Sequence, residues 1–224
     1  MMNSKLDIRM AGLGGQGVVT AAHILGTAVV STGRHAAVNP FFGAEKRLAP
    51  AESYVRMANE PIYDRGELLY PNFIMIFAPQ VITMGKSYTM PFYAGLKENG
   101  LVIINSDSPI LSEKEIAGLE KLNAKVLYVP ATKLALENAG TELATNMTML
   151  GALCGLVELL DLDAVMTAVE ERFSGKAKIV TSGTTAALDE SFKSKFDKVS
   201  ALIEKNNTAI SEAYKFTSQE KQLS

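Results

Sequence analysis

The start of the chain has the hydrophobic pattern of an α/β domain. Residues 6–12 alternate between polar and apolar side chains and then become apolar, which predicts a buried strand. Apolar residues recur at helical spacing over residues 18–32, and Gly33 follows where a helix commonly ends. Residues 35–39, before Pro40, predict a short second strand. A strand, a glycine-rich turn, a helix and a strand in this order are the beginning of a doubly wound α/β domain.

The middle of the chain continues this alternation of strands and helices. Four further apolar runs predict strands at residues 53–57, 72–78, 100–105 and 124–129. Residues 41–52 are punctuated by Pro and Gly and predict a loop, whereas residues 81–96 predict a helix. A second helix is expected over residues 112–122, because Ser112 and Glu115 have the spacing of a capping box.

The last part of the chain is predicted to be helical. Helices are expected at residues 131–139, 146–160 and 162–173, the last capped by Asp161, followed by a loop at 174–185 and a long amphipathic helix at 185–214. The polar tail after Phe216 is expected to fray. We therefore predict an α/β, Rossmann-like, doubly wound and mostly parallel sheet with helices on both faces. Its domain would span residues 1–180, and a helical C-terminal segment would span 181–224.

Composition limits the chemistry that this chain can perform alone. Among its 224 residues are one cysteine, Cys154, and two histidines, so neither an intrachain disulfide nor an iron–sulfur cluster held by four thiolates is possible, and a zinc site is not expected. The formal net charge of −2 gives no reason to expect nucleic acid or an anionic membrane as a partner. The first ten residues lack the pattern of a signal peptide, and we expect a cytoplasmic protein.

The glycine-rich turn is the first candidate site. Gly12, Gly14 and Gly17 satisfy G-x-G-x-x-G directly after the first strand. Glycine lets the backbone approach a ligand without a Cβ, and the next helix directs free N–H groups and its positive dipole end at an anion. Gly15 and Gln16 strengthen the expectation, because they add a flexible backbone and an amide that can donate and accept hydrogen bonds. Anion binding is therefore favoured, and close packing of strand and helix is the alternative.

A nicotinamide dinucleotide fits this turn less well than another phosphate-bearing ligand. Dinucleotide domains place an Asp or Glu at the end of the second strand, where it binds the ribose hydroxyls. The corresponding residues here are HAAVNP, in which Asn39 is the only substitute, and the next carboxylate is Glu45.

Four sequence blocks resemble a known family. The blocks are residues 12–18 (GLGGQGV), residues 42–50 (FGAEKRLAP), residues 55–62 with the run VRM, and residues 146–151 (NMTMLG). They are similar to motifs of the gamma domain of pyruvate, 2-oxoglutarate and related 2-oxoacid:ferredoxin oxidoreductases, and the resemblance extends from residue 7 to about residue 173. One departure is Leu48, which occupies a position where the family usually has glycine and thereby weakens the expectation that a ligand approaches this backbone.

The resemblance implies a subunit of a larger enzyme. That enzyme oxidatively decarboxylates a 2-oxoacid to an acyl-CoA, with thiamine pyrophosphate, Mg and iron–sulfur clusters on alpha, beta and delta-type partner subunits and ferredoxin or another acceptor receiving the electrons. The gamma chain would hold no cofactor tightly and would contribute to assembly and to the CoA side of the active site. The residues expected to face CoA are Gly12, Gly14, Gly15, Gln16, Gly17, Glu45 and Arg47; none is expected to be catalytic or to bind a metal.

Two other functions stay open from the residues alone. One is a stand-alone nicotinamide- or flavin-dependent reductase, and the other is an assembly module in which the glycine turn is purely structural. Two residues have structural interpretations in every case: Asn146 is expected to cap a helix, and Cys154 is expected to be a buried, inert thiol.

Overall fold

The computed structural model describes residues 5–42, 48–174 and 186–223. Six strands and seven α-helices follow one another in these ranges, with a short 3-10 helix at Glu142–Ala144. The strands are β1 (Lys5–Leu13), β2 (His35–Phe42), β3 (Pro50–Ala58), β4 (Phe73–Ile76), β5 (Leu101–Asn105) and β6 (Lys125–Val129). The helices are α1 (Val18–Ser31), α2 (Gln80–Thr83), α3 (Glu113–Glu120), α4 (Ala131–Ala139), α5 (Thr145–Leu156), α6 (Leu162–Ser174) and α7 (Ala186–Leu223).

The strands form one mixed sheet in the order β2-β3-β1-β4-β5-β6. The pairs β1–β4, β4–β5 and β5–β6 are parallel, whereas β3 is antiparallel to both β1 and β2. The predicted class, an α/β Rossmann-like fold with a mostly parallel sheet and a helical C-terminal segment, is confirmed.

One pairing differs from a simple strand–helix–strand unit. The chain leaves β1 through α1 and returns as β2, but β3 lies between these two strands and pairs with both. Adjacent strands are about 4.8 Å apart, so the end of β2 lies about 10 Å from β1 instead of directly beside it. β2 is consequently an edge strand.

Apolar layers cover both faces of the sheet. On the first face, Ile8 and Met10 of β1 pack in a large cluster with residues of α1, α5, α6 and α7. On the second face, Ile74 and Ile76 of β4 pack with Leu119 of α3 in a smaller cluster that also includes residues from the segment 84–97. Helices therefore lie on both faces, with the longer ones on the first.

The second face also buries charged side chains where β1 pairs with β3. Arg9 lies opposite Tyr54, and Asp7 lies opposite Arg56. The Arg9 guanidinium donates to the carbonyls of Leu68, at 2.9 Å, and Ala94, at 3.0 Å. Because these two carbonyls belong to different irregular segments, 59–72 and 84–97, Arg9 holds both segments against the sheet.

The helix predicted over residues 81–96 is wrong except for its first turn. Only α2 forms, and the chain then runs irregularly to the start of β5. Gly85 and Gly95 have positive φ values of 59° and 79°, and Pro91 has no N–H to continue a helical ladder. The apolar spacing of this segment instead reflects Phe92 and Leu96, which are buried against the second face of the sheet.

Two predicted boundaries are also wrong. β2 continues through Pro40 to Phe42, because an edge strand has one row of backbone groups that needs no partner and therefore accepts proline. Likewise α7 does not fray after Phe216 but continues to Leu223, and Thr217 is fully buried and donates to the carbonyl of Ala152 at 3.0 Å. The loop expected at 174–185 lies, apart from residue 174 in α6, outside the described residues.

Helix α7 packs closely against α5. A Cβ added at Gly151 would overlap the backbone of Ile210, and one added at Gly155 would lie 2.7 Å from the carbonyl oxygen of Tyr214. Small residues therefore let the two helix backbones touch, as the sequence of α5 predicts.

The proposed boundary between residues 180 and 181 stays a prediction. Within the described ranges, no helix is both long enough and apolar enough to span a bilayer.

Candidate functional site

The glycine-rich turn lies at the carboxyl end of β1 and is held to the start of β3. The Gly14 amide donates to the carbonyl of Ala49 at 2.8 Å, and the Gly14 carbonyl accepts from the amide of Leu48 at 3.4 Å. The next two residues, Gly15 and Gln16, are exposed. A Cβ built on Gly15 would meet no atom within 4 Å among the described residues, so the tip of the turn is open.

Gln16 stabilises the turn through its side-chain oxygen. Its Oε1 accepts from the backbone amide of Leu13 at 2.9 Å, while the backbone amide of Gln16 donates to the Leu13 carbonyl at 3.1 Å. The two interpretations of this residue, turn stabilisation and ligand contact, are therefore compatible. The oxygen closes the turn, and the exposed side chain still has an amide nitrogen that can donate.

Gly12 and Gly17 are the tightly packed members of the motif. A Cβ on Gly12 would lie 2.6 Å from Cγ2 of Val18, so this glycine lets strand and helix approach each other. Gly17 has a φ of 75° and would place a Cβ 2.9 Å from Cγ of Asn146, overlapping its amide. Both positions therefore require glycine for packing, and the tip between them is the most open part of the turn.

Asn146 connects the turn to α5, which corrects the prediction that it caps a helix. The residue before α5 is Ala144, and Asn146 lies in the first turn of the helix. Its Nδ2 donates to the Gly17 carbonyl at 3.3 Å, and its Oδ1 accepts from the Met147 amide at 3.0 Å. The first and fourth sequence blocks therefore meet in space, although Gly17 and Asn146 are 129 positions apart.

The beginning of α1 has free donors and no negative charge. Gly17 precedes the helix without a side-chain cap, and the first turn contains no acidic residue. The first hydrogen bond of the helix joins the Ala21 amide to the Gly17 carbonyl, which leaves the amides of residues 17–20 without an acceptor among the described residues. Such a helix end attracts an anion through both its N–H groups and its dipole.

Leu48, beside the turn, has a backbone conformation that glycine adopts more readily than other residues. Its φ is 57°, in the left-handed region that disfavours residues with a Cβ, and the residue is 61% exposed. The backbone next to the turn is therefore held in a strained conformation, at a position where the family motif was expected to have glycine.

Exposed apolar side chains border the turn. We call Phe41, Leu48, Met84, Tyr88 and Met90 the apolar rim; these side chains are between 41% and 65% exposed. The rings of Phe41 and Tyr88 meet edge to face with their centroids 4.8 Å apart. The rim is continuous with the turn, because the Leu48 amide donates to the Gly14 carbonyl. An exposed apolar patch beside a polar site is typical of a protein–protein contact.

A buried carboxylate fixes the part of the rim that follows α2. Glu52 is 1% exposed, and its Oε1 accepts from the Ser87 hydroxyl at 3.0 Å and from the Tyr88 amide at 3.2 Å. Its Oε2 accepts from the Tyr54 hydroxyl at 3.1 Å. Burial, followed by the nearby Glu52 charge, raises the pKa of Tyr54, so this phenol remains a hydrogen-bond donor. The loop predicted over residues 41–52 is therefore wrong at Glu52, which lies in β3, and no local sequence signal indicated this role.

Asn39 is not available to bind a ribose. Its Nδ2 donates to the carbonyl of Arg65 at 2.7 Å, and its Oδ1 accepts from Arg56 at 3.5 Å. In addition, β3 separates the strand that contains Asn39 from β1. The arrangement that a nicotinamide dinucleotide needs is therefore missing at the end of β2.

The remaining candidates divide into those that the structure describes and those that it does not. Glu45 and Arg47 lie outside the described residues. Cys154 is buried and free, and desolvation raises its pKa to about 12, as expected of an inert thiol. No group of three His, Cys, Asp or Glu side chains suited to a metal ion occurs within the described ranges.

A Rossmann-like sheet with an open glycine-rich turn between its first strand and first helix, next to exposed apolar side chains, places this chain in the α/β class of glycine-turn domains. Residues 7–189 match the family model described as pyruvate ferredoxin/flavodoxin oxidoreductase. The match covers more than half of the chain, and the chain belongs to this family. The resemblance given by the four sequence blocks is confirmed.

Curated relatives of similar length match most of the chain. Pyruvate synthase subunit PorC of Methanothermobacter marburgensis is 35% identical over 171 residues, which are 76% of this chain and 88% of that protein. The pyruvate/ketoisovalerate oxidoreductases common subunit gamma of Thermococcus kodakarensis is 36% identical over 170 residues, with the same coverage of each chain. The first name describes a subunit of pyruvate synthase, and the second describes a subunit shared by pyruvate and ketoisovalerate oxidoreductases.

Solved structures share the fold. The pyruvate oxidoreductase subunit PORC of Thermotoga maritima aligns over 95% of this chain and 97% of its own, with a TM-score of 0.68 and 20% identity. A 2-oxoglutarate:ferredoxin oxidoreductase of Magnetococcus marinus aligns over 94% of this chain but only 32% of its own, with a TM-score of 0.64 and 19% identity. In that longer protein the fold is one part of the polypeptide, and its structure contains 2-oxoglutarate, coenzyme A and succinyl-CoA.

Proposed function

We propose that this chain is the gamma subunit of a multi-subunit, thiamine-dependent 2-oxoacid:acceptor oxidoreductase and that it forms part of the CoA side of the active site. Alpha, beta and delta-type partner chains would hold thiamine pyrophosphate, Mg and the iron–sulfur clusters. Electrons would leave to ferredoxin or another acceptor. CoA would be a cosubstrate that this chain contacts without holding it tightly.

The observation that supports this proposal is the open tip of the glycine turn at the start of an uncapped helix. Gly15 has no neighbour that would obstruct a ligand, and the amides of residues 17–20 have no acceptor among the described residues. CoA has a pyrophosphate and a 3′-phosphate, which are the kind of anionic group that such a helix end binds. Gly12 and Gly17 would support the turn, and Gly14, Gly15 and Gln16 would face the ligand.

The apolar rim supports assembly with a larger partner. Five exposed apolar side chains next to the turn would be covered by a protein surface, and the same contact would complete the walls of an otherwise open ligand site. Glu45 and Arg47 remain part of the proposal through the family motif, with Arg47 suited to bidentate contact with a phosphate. We place the complex in the cytoplasm, where a free thiol such as Cys154 stays reduced.

Two measurements test this function. Native mass spectrometry of the complex purified through a tag on this chain should identify larger partner chains, and the isolated chain should have no oxidoreductase activity. CoA should raise the midpoint of thermal unfolding of the complex, because a ligand at 100 times its Kd adds about 2.7 kcal/mol to the stability of the native state. Full turnover by the isolated chain would refute the proposal.

The stand-alone reductase makes a different prediction. It requires that NADH or a flavin bind the isolated chain, whereas the engaged Asn39 and the displaced β2 oppose a dinucleotide. Titration with NADH, followed by the fluorescence of the nicotinamide, should give no saturable signal. The purely structural module is distinguished by hydrogen exchange, since only a ligand site predicts that CoA slows exchange of the amides in residues 14–20.

A further inference from the structure

Lys86 lies at the glycine turn, although it is 70 positions away in sequence. Its Nζ donates to the carbonyl of Leu48 at 3.4 Å, and the amide of the same leucine donates to the Gly14 carbonyl at 3.4 Å. The ammonium group is therefore separated from the turn by a single residue. Lys86 follows α2 after two residues and is half-buried.

The positive charge of Lys86 is not neutralised by the described part of the chain. No carboxylate among the described residues lies within 4.0 Å of its Nζ, and the salt bridges that are present involve Lys5, Lys97, Lys133 and Lys215. A single carbonyl satisfies only one of the three donors of an ammonium group. Within the described ranges, two donors and a full charge therefore remain for a ligand.

The residues next to Lys86 are held in place by the buried side chain of Glu52. Ser87 and Tyr88 both donate to Oε1 of the buried Glu52, and the Lys86 amide donates to the carbonyl of Gln80 at 3.4 Å. Glu52 is thus a positioning residue for this segment, and it directs its charge inward, away from the ligand surface. A buried carboxylate that holds the two residues after Lys86 favours a defined site over a mobile surface charge.

We propose that Lys86 binds a phosphate group of the ligand at the glycine turn and determines its preference for phosphate-bearing compounds. This inference rests on the proposed function and adds to it the cation that accompanies the backbone amides. Lysine binds phosphate as a compact point charge, and the amides of residues 17–20 supply directional hydrogen bonds to the same anion. Neither the sequence blocks nor the expected CoA-facing residues included Lys86.

The alternative is that Lys86 only braces the loop by bonding to Leu48. The two roles are separated by ligands with and without phosphate. Loss of a brace would weaken the binding of CoA and of pantetheine, which lacks the phosphates, to the same extent. Loss of a phosphate contact would weaken CoA binding alone and would reduce its dependence on ionic strength.

The experiment uses the assembled complex. Hydrogen exchange of residues 14–20 is the readout for CoA, and the concentration of pantetheine needed to support turnover in place of CoA is the readout for the ligand without phosphate. CoA and pantetheine are titrated against wild type, Lys86→Met, Lys86→Arg and the control Lys125→Met, which removes an equal charge from an exposed position at the amino end of β6. Lys86→Met should require about 10-fold more CoA for the same protection, in line with the loss of one charge-assisted hydrogen bond. Lys86→Arg should remain within about 3-fold of wild type, because it keeps the charge.

The outcomes distinguish failure of this inference from failure of the proposed function. If CoA does not protect residues 14–20 in wild type, the proposed function is wrong. If CoA protects wild type and Lys86→Met at equal concentrations, or if Lys86→Met weakens pantetheine as much as CoA, Lys86 is not a phosphate ligand while the proposed function stands. Support requires a CoA-specific loss in Lys86→Met that Lys125→Met does not show.

Discussion

The contact between Gly17 and Asn146 can be measured by placing alanine at three glycines with the same backbone conformation. Gly15, Gly17 and Gly33 have φ values of 94°, 75° and 80°. Alanine at any of them adopts a left-handed conformation, at a net cost of about 1 kcal/mol. A Cβ at Gly15 or Gly33 meets open space, whereas one at Gly17 overlaps the amide of Asn146. Displacing that amide breaks two hydrogen bonds worth about 1 kcal/mol each, so Gly17→Ala should cost about 3 kcal/mol.

Urea unfolding of the full chain provides the assay. With an m value of about 3 kcal/mol per M, the midpoint should fall by about 1 M for Gly17→Ala and by about 0.3 M for Gly15→Ala and Gly33→Ala. In an Asn146→Ala background the cost of Gly17→Ala should decrease to that of the other two glycines, which is the coupling expected of residues in contact. Equal midpoints for all three alanine variants would show that Asn146 does not pack against the turn.

Three further predictions concern stability away from this contact. Leu48→Gly should raise the free energy of unfolding by about 0.5–1 kcal/mol, measured by urea titration, because it removes the left-handed strain at a smaller entropic cost. Arg9→Met should lower the free energy of unfolding by about 3 kcal/mol, since it removes the charged donor to the Leu68 and Ala94 carbonyls; a loss below about 1 kcal/mol would contradict this role. Because the pKa of Cys154 is raised in the native state, its thiol ionises at a lower pH in the unfolded chain than in the folded chain. The free energy of unfolding, relative to Cys154→Ala, should therefore decline from about pH 9 towards pH 12. Thiol reagents should react with Cys154 only when the native chain unfolds.

Local signals in the sequence were sufficient for most of the elements. The Ser112 and Glu115 capping box is present, and Oδ1 of Asp161 accepts from the amides of Asp163 and Ala164, as predicted for the start of α6. Each of these signals depends on residues within four positions of one another. The strands could also be predicted from local sequence, because burial on one or both faces determines their apolar pattern.

The errors occurred where distant residues determine the structure. Residues 81–96 have apolar positions at helical intervals, but Arg9 binds the carbonyls of Phe92 and Ala94 and holds the segment in an irregular course. The positive φ values of Gly85 and Gly95 are incompatible with a continuous helix. The C-terminal helix is longer than predicted because Thr217, polar and apparently part of a tail, is buried against Ala152. The charged residues within the alternating pattern of β1 were the local sequence signal that its second face is polar.

The candidate site was only partly predictable for a similar reason. The motif identified the turn, but its five members have different roles, and packing partners outside the motif determine those roles. Val18 and Asn146 exclude a side chain at Gly12 and Gly17, whereas no described residue comes within 4 Å of a Cβ built on Gly15. Lys86 could not be assigned to the site from the sequence, because its proximity depends on the irregular course of the chain after α2.

The C-terminal helix α7 influences the geometry of the site through its contact with α5. At its first turn, Asn146 holds the carbonyl of Gly17, and one and two turns further on Gly151 and Gly155 lie against the backbone of α7. The position of α5 is therefore set by α7, and the position of Gly17 is set by α5. Helix α7 contains none of the four sequence blocks, yet its packing against α5 supports the turn that the first block forms. A segment that only has to pack can change its sequence as long as it presents small and apolar residues to α5, whereas the turn must keep its glycines.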